Sequence, residues 1–124
     1  RGRSDFTRIP GGAAGVEHRL ALLRSLDLPA TDWVRLVSQR PAEIFGLYPR
    51  KGSLDAGADA DLVLWDPDAR WTVESARDHH PADHSIYEGL AVRGRAETVW
   101  LRGEMVVSGG IVSARAGQGR FLLH

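Results

Sequence analysis

The stretch Gly57–Asp66, GADADLVLWD, lies near the start of the second of two halves of different character. Its glycine and aspartate residues favour a turn, and the apolar run Leu62–Trp65 that follows is typical of a short strand ended by Asp66 and Pro67. Over residues 1–48 apolar residues recur at helical spacing, and after Tyr48–Pro49 they come in short runs separated by turn residues. We therefore predict helices upstream and a small sheet downstream.

The downstream half predicts four further strands. They are Trp71–Val73, Thr98–Leu101, Met105–Val107 and Ile111–Ser113. The connections Arg102–Gly103 and Ser108–Gly110 have the length and glycine content of tight antiparallel hairpins. Residues 75–95 are polar and carry a proline and two glycines, so we predict a single long loop there.

The upstream half predicts three helices. The first covers Val16–Leu26, where valine and leucine residues fall at helical spacing. The second begins with Thr31 as its N-cap, and the third has Pro41 in its first turn and Gly46 at its end. Neither half closes a core alone, which favours an α+β piece of a larger protein.

The composition excludes several classes of protein. In 124 residues, 16 basic side chains balance 16 acidic ones, so no net charge attracts nucleic acid or an anionic membrane. There is no cysteine for a disulfide or a thiolate metal site. No apolar run approaches the roughly 20 residues of a membrane span. We expect a cytoplasmic protein with neither nucleic acid nor membrane as a partner.

A glycine-rich loop near the start of the chain is the first candidate site. Pro10, Gly11 and Gly12 precede a predicted helix, whose free N–H groups suit an acceptor such as a phosphate, a carboxylate or a ring carbonyl. No Lys-Ser/Thr pair follows the glycines, which excludes a Walker loop, and no strand precedes them as in a dinucleotide site. A plain loop before a helix, with Glu17 complementing the helix dipole, is the alternative.

The histidines are the second group of candidate residues. One cluster joins three histidines and two aspartates: Asp78, His79, His80, Asp83 and His84. Adjacent histidines rarely bind one ion together, so we interpret this cluster as a solvated loop. His18 is interpreted as a surface or packing residue.

Four tryptophans form the third group. They are Trp33, Trp65, Trp71 and Trp100. No basic stripe accompanies them, so they are predicted to anchor the core and interfaces and not to stack on nucleic-acid bases.

Four separated segments together resemble the C-terminal part of the hydantoinase/dihydropyrimidinase-type cyclic amidohydrolases. They are Asp5–Leu20, Pro41–Gly52 running on into Gly57–Asp66, Ser85–Gly89 followed by Val99–Gly103, and Gly117–Leu122. The second segment is shared widely among amidohydrolases. The YEG sequence of the third and the GQGRF sequence of the fourth are narrower and indicate the hydantoinase branch.

The resemblance implies a fold class of α/β plus β. Residues 1–48 would be the end of a (β/α)₈ barrel, mostly helical here. Residues 49–117 would be the C-terminal share of a small β-sandwich domain, and residues 118–124 the start of a C-terminal tail.

The resemblance also implies an activity for the whole protein. This is metal-dependent hydrolysis of the ring C–N amide bond in hydantoins, dihydropyrimidines or related cyclic imides, with two divalent metal ions, expected to be zinc. A small cyclic amide would be the substrate, and the protein would be a homo-oligomer, a dimer or a tetramer. Three alternatives stay open: an allantoinase- or dihydroorotase-like enzyme, a non-catalytic scaffold or assembly protein of the same fold, and a free-standing β-rich binding module.

The site residues that the resemblance carries over are few. The backbone of Gly11 and Gly12 would bind the amide edge of the substrate, with Gly11 at a position where asparagine is common. No catalytic residue and no metal ligand is carried over, because Asp5 lies too close to Ile9 to match the metal-binding aspartate. The 124-residue chain alone is therefore expected to be inactive.

Overall fold

A computed structural model of the chain describes residues 4–9, 12–13, 15–79 and 84–122. Short 3₁₀ turns cover Phe6–Arg8 and Ser75–Arg77. The helices are α1 (Arg19–Arg24), α2 (Ala30–Val34) and α3 (Arg40–Ile44), and the strands are β1 (Leu62–Thr72), β2 (Ala91–Leu101), β3 (Glu104–Ser108) and β4 (Ile111–Val112). Helices precede strands, as predicted. No helix in the described ranges has the length and hydrophobicity to cross a membrane.

The four strands form one antiparallel sheet in the order β1-β2-β3-β4. Both predicted hairpins are confirmed. The turn between β2 and β3 is Arg102–Gly103, and Gly103 has a φ of +80°, which favours glycine there. Gly109 and Gly110 connect β3 to β4, with φ values of +56° and +81°.

The first strand corrects the prediction of two separate strands. β1 runs through Asp66 and Pro67, with shifts of register at Leu64/Trp65 and between Asp66 and Arg70. Where the ladder is interrupted, Asp66 Oδ1 accepts hydrogen bonds from the N–H groups of Asp68 (2.8 Å) and Ala69 (3.2 Å). These bonds satisfy backbone donors beside the irregularity, so the strand resumes after the proline.

The predicted loop over residues 75–95 is also wrong, because β2 begins at Ala91. Gly94 is one of the two glycines on which the loop prediction rested. Its φ is +87°, and a Cβ built on it would lie 2.5 Å from the Trp65 ring. Gly94 therefore permits close packing of an indole on the sheet, which is a known use of glycine inside strands.

The second and third helices are continuous, not separate. α2 begins at Ala30 after Pro29, so the prediction of Thr31 as N-cap is wrong. A wider π-helical turn, Arg35–Gln39, joins α2 to α3, and the Arg40 N–H donates to Arg35 O. Pro41 has no N–H and its ring crowds the preceding turn, and a local widening is one way to relieve that. Gly46, with a φ of +67°, follows α3 as predicted.

The core lies between α1 and the sheet. Its buried residues are Ala21, Val73 and Val92. α1 is shorter than predicted and is linked to β2 by Ser25, whose Oγ donates to Ala21 O (2.8 Å) and accepts from Arg93 N–H (3.0 Å). The Ser25 hydroxyl at the end of α1 thereby provides an acceptor for a backbone N–H of β2.

The chain has a large surface for its mass. Its accessible area is 9146 Å², whereas a compact monomer of 13.6 kDa exposes about 6,600 Å². Large apolar side chains contribute to this surface, including Val16 (94% exposed), Phe121 (89%) and Leu54 (85%). Such a surface is typical of a segment that packs against further polypeptide.

Candidate functional site

The glycine-rich loop begins with a local hydrogen-bonded turn. Asp5 Oδ1 accepts from the N–H of Thr7 (3.0 Å) and from its hydroxyl (2.6 Å), which caps the 3₁₀ turn Phe6–Arg8. The Thr7 hydroxyl and then its N–H hold the pKa of Asp5 below its usual value. Asp5 therefore shapes the start of the loop.

Gly12 is the part of the predicted substrate-binding pair that can be described. It is exposed, its φ is +89°, and a Cβ built on it would have no atom within 4 Å. Gly11 lies outside the described residues. The backbone at Gly12 thus adopts a conformation that favours glycine while remaining open to a ligand.

The end of the loop packs against the segment before β2. A Cβ on Gly15 would lie 2.9 Å from Tyr87 Cε2 and 3.3 Å from its hydroxyl oxygen. Directly after it, Glu17 accepts two hydrogen bonds from His79, one from the backbone N–H (2.8 Å) and one from ring Nδ1 (2.7 Å). Burial alone would raise the pKa of Glu17, but the bonds from His79 outweigh it and hold that pKa below its usual value.

A second carboxylate–imidazole pair lies beside the first and is buried. His18 Nε2 is 2.8 Å from Asp78 Oδ1, and the two side chains are 1% and 6% exposed. The His18 ring also packs near Trp71 and Tyr87, with centroid distances of 6.0 and 6.2 Å. We call Glu17, His18, Asp78 and His79 together the clasp.

The clasp corrects part of the interpretation of the histidines. Asp78 was expected in a solvated loop, but it is buried because His18 partners it. His79 is 61% exposed, His84 is half-buried, and His80 and Asp83 lie outside the described residues. For His18, packing is the correct one of its two expected roles.

The sequence carries a signal for this clasp in the form of two similar dipeptides. Glu17–His18 and Asp78–His79 are both an acidic residue followed by histidine, and each carboxylate pairs with the imidazole of the other dipeptide.

The tryptophans join the helices to the sheet, as anchors of the core should. Trp33 is 8% exposed, its ring centroid lies 5.1 Å from that of Trp65, and its Nε1–H donates to Leu20 O (3.2 Å). Trp71 donates from Nε1 to Gly94 O (3.0 Å). Trp100 lies in β2 and is half-buried.

A cavity of about 610 Å³ lies between α1 and the sheet. The clasp residues line one side of it, and Trp65, Trp71 and Arg95 contribute to the remainder. Gly12 is not among the described residues that line this cavity.

A further polar cluster surrounds the start of β1, and we call Lys51, Asp59 and Asp61 with the Arg102 backbone the hub. Lys51 Nζ forms ion pairs with Asp59 (2.9 Å) and with Asp61, and Asp61 Oδ1 accepts from the Arg102 N–H (2.8 Å). Burial would lower the pKa of Lys51, but its bonds to Asp61 and Asp59 outweigh this and raise it. The hub ties the turn after α3 to the β2–β3 hairpin, which gives the GADAD sequence a structural role.

The hub is not a metal centre, and no other such centre lies in the described part of the chain. Within residues 4–9, 12–13, 15–79 and 84–122, no three histidine, aspartate or glutamate side chains are placed to hold a metal ion. The described residues therefore do not fit a binuclear metal site.

Comparison with known families settles the relationship of the chain. The sequence model of the Amidohydrolase family matches residues 6–106. The chain belongs to the amidohydrolase family.

The curated relatives are named as enzymes that act on small cyclic amides. The chain is 44% identical over 126 residues to a D-hydantoinase of Ralstonia pickettii, which covers 98% of this chain and 28% of that protein. It is 40% identical to a dihydropyrimidinase of Dictyostelium discoideum, with 98% of this chain and 25% of that protein covered. The chain thus spans about a quarter of the length of these amidohydrolase relatives.

Solved structures agree with the relatives. A structure of D-hydantoinase matches 98% of this chain and 27% of its own, with a TM-score of 0.90 and 43% identity. An L-hydantoinase (dihydropyrimidinase) from Arthrobacter aurescens matches 94% of this chain and 27% of its own, with a TM-score of 0.87 and 30% identity.

Proposed function

We propose that the protein containing this chain is a metal-dependent cyclic amidohydrolase that hydrolyses the ring C–N amide bond of hydantoins or dihydropyrimidines. The observation that carries the proposal is the 44% identity to a D-hydantoinase across 98% of the chain. The match includes the exposed glycine loop as well as the packed sheet. The relatives described above do not support the two alternatives of an allantoinase- or dihydroorotase-like enzyme and of a non-catalytic scaffold protein.

A 5-substituted hydantoin of D configuration is the first substrate to test. Relatives named D-hydantoinase share 36–44% identity with this chain, whereas the L-hydantoinase structure shares 30%. Dihydrouracil is the second substrate, because relatives named dihydropyrimidinase are 36–40% identical.

The proposed contribution of this chain is to bind and orient the ring. The backbone of Gly11 and Gly12 would hydrogen-bond the amide edge of the substrate, which needs no side chain. The open surroundings of Gly12 and its φ of +89° support this role. Holding the ring in one orientation lowers the entropic cost of reaction, which is a positioning effect.

The remaining assignments follow from the same proposal. Residues 1–48 would complete a (β/α)₈ barrel, residues 49–117 would form part of a β-sandwich domain, and residues 118–124 would begin a tail. The large surface described above supports packing against such neighbours. The divalent metal ions, for which zinc is the first to test, would be held by residues outside the described part of this chain. The whole protein would form a dimer or a tetramer.

The test is an assay of the full-length protein on D-phenylhydantoin, dihydrouracil, dihydroorotate and allantoin, with and without a metal chelator. We expect ring opening of the first two to be the fastest and to be abolished by the chelator. Restoration by added zinc, compared with manganese, identifies the metal. Absence of hydrolysis of all four substrates by metal-loaded protein would favour the scaffold alternative.

A further inference from the structure

The clasp connects two parts of the chain that are about 60 residues apart in sequence. Its bonds link Glu17 to His79 and His18 to Asp78. One end of this connection follows the glycine loop directly, and the other precedes the segment that leads into β2. Any movement of Glu17 and His18 relative to Asp78 and His79, in the segment between β1 and β2, must therefore break or strain the clasp.

The strength of the connection follows from its chemistry. Glu17 is ionised at neutral pH, and it accepts two hydrogen bonds, so both are charge-assisted and stronger than bonds between neutral groups. In the second pair the side chains of His18 and Asp78 are only 1% and 6% exposed, so water competes little for either of them. Contacts of Gly15 with Tyr87 and of His18 with Tyr87 and Trp71 add packing.

The described residues of the loop make mainly local contacts with one another. Asp5 accepts from Thr7 within its own turn, and a Cβ built on Gly12 would have no described atom within 4 Å. In the described part of the loop, the first connection to the sheet side is therefore the packing of Gly15, followed by the clasp.

We infer that Glu17, His18, Asp78 and His79 are positioning residues that hold the exit of the glycine loop against the sheet side and thereby set the affinity for the cyclic amide. This inference rests on the proposed function, because it names what fixes the proposed substrate-binding backbone. The four residues act through the loop and do not touch the substrate. Weakening the clasp leaves more of the ordering of the loop to be done on binding, and this cost falls equally on the enzyme–substrate complex and on the transition state, so it raises KM more than it lowers kcat.

The experiment compares Glu17→Ala with Glu74→Ala in the full-length protein. Glu74 is a matched control, since it is a half-exposed glutamate on the same side of the molecule and pairs only with Arg77 among the described ion pairs. Hydrogen exchange is measured over residues 12–18, and KM and kcat are measured with the best cyclic amide substrate. Glu17→Gln, which keeps an acceptor for the His79 N–H, tests for partial rescue, and Asp78→Asn tests the buried pair.

For Glu17→Ala we expect about tenfold faster exchange over residues 12–18 and about a tenfold higher KM with kcat within twofold, from the loss of two hydrogen bonds. Glu17→Gln and Asp78→Asn should show smaller changes in the same direction, and Glu74→Ala should behave as the unmodified protein. If hydrogen exchange over residues 12–18 is unchanged in Glu17→Ala, or changes equally in Glu74→Ala, the clasp does not hold these residues. Faster exchange with KM unchanged would overturn its positioning role.

The two proposals fail in different ways. If the unmodified protein hydrolyses none of the cyclic amides, the proposed function fails, and the positioning role fails with it. The exchange comparison still decides whether the clasp holds residues 12–18, because it does not depend on activity.

Discussion

Gly12 and Gly94 have nearly the same backbone conformation in opposite surroundings. Their φ values are +89° and +87°. A Cβ on Gly12 would meet no atom within 4 Å, whereas a Cβ on Gly94 would lie 2.5–2.7 Å from three atoms of the Trp65 indole. The glycine in the sheet permits packing within the protein, and the glycine in the loop leaves its backbone accessible. The comparison separates a structural glycine from one available to a ligand.

The same contrast holds for the polar contacts of the two regions. The hub joins the turn after α3, the start of β1 and the β2–β3 hairpin through several ion pairs. Among the described residues, the hydrogen bonds that precede the clasp stay within the turn Asp5–Ile9, where Thr7 donates to Asp5 and Ile9 N–H donates to Phe6 O. We interpret the sheet region as scaffold and the loop as the part whose position has to be controlled.

The largest effect is expected for Gly94→Ala. The new methyl group would clash with the Trp65 ring, and the backbone would be strained, so the free energy of unfolding should fall by about 3 kcal/mol. Urea unfolding of the full-length protein, followed by tryptophan fluorescence, measures this. Gly12→Ala is the matched control, since it has the same strain without the clash. Equal destabilisation by both substitutions would contradict the comparison.

A smaller loss of stability is expected for Gly52→Ala. Its φ is +77°, and a Cβ would lie 2.8 Å from the Ala42 Cβ and 3.0 Å from the Gln39 Cα. Because the helix backbone can shift slightly, we expect a loss of about 2 kcal/mol. Gly57→Ala, with a φ of +99° and nothing within 4 Å, is the control in the same turn-rich segment. If the two variants unfold at the same urea concentration, the contact is not a packing constraint.

The two regions should respond differently to pH. The lowered pKa of Glu17 means that its contribution to stability is complete above its ordinary pKa of 4.5 and is lost as pH falls through the lowered value. The raised pKa of Lys51 means that its contribution is complete below 10.5 and is lost as pH rises through the raised value. Thermal unfolding of the full-length protein, with Glu17→Gln and Lys51→Ala, measures both. Glu17→Gln should reduce the acid dependence alone, whereas Lys51→Ala should reduce the alkaline dependence and also part of the acid one, because Lys51 holds the pKa of Asp59 below its usual value. An acid limb that Glu17→Gln leaves unchanged would show that the clasp does not depend on this charge.

Much of the sheet could be predicted from sequence because its hairpins are local. β-branched and aromatic residues alternate with glycine turns between Thr98 and Val112, and these features act over a few residues. The start of β2 could not be predicted, since its pairing with β1 is long-range and Gly94 resembles a turn residue. The continuity of β1 was missed for a similar reason, because Pro67 normally ends a strand.

The site was less predictable than the fold. The loop was recognisable from its glycines, but its connection to the sheet depends on pairs about 60 residues apart. Asp78 meets His18 only in the folded chain, so from the sequence alone Asp78 was expected in a solvated loop. The helix at 30–44 shows the same limit, since hydrophobic periodicity does not report the π turn before Pro41.

The central claim is that the loop backbone serves the substrate and the sheet glycines serve the fold. The most direct measurement is the KM of the full-length protein carrying Gly12→Ala, determined together with its unfolding midpoint. Because alanine disfavours the φ of +89° at this position, the backbone should shift and its hydrogen bond to the ring should weaken, which should raise KM about five- to tenfold, while stability falls by only about 1 kcal/mol from backbone strain. A KM equal to that of the unmodified protein would contradict the account.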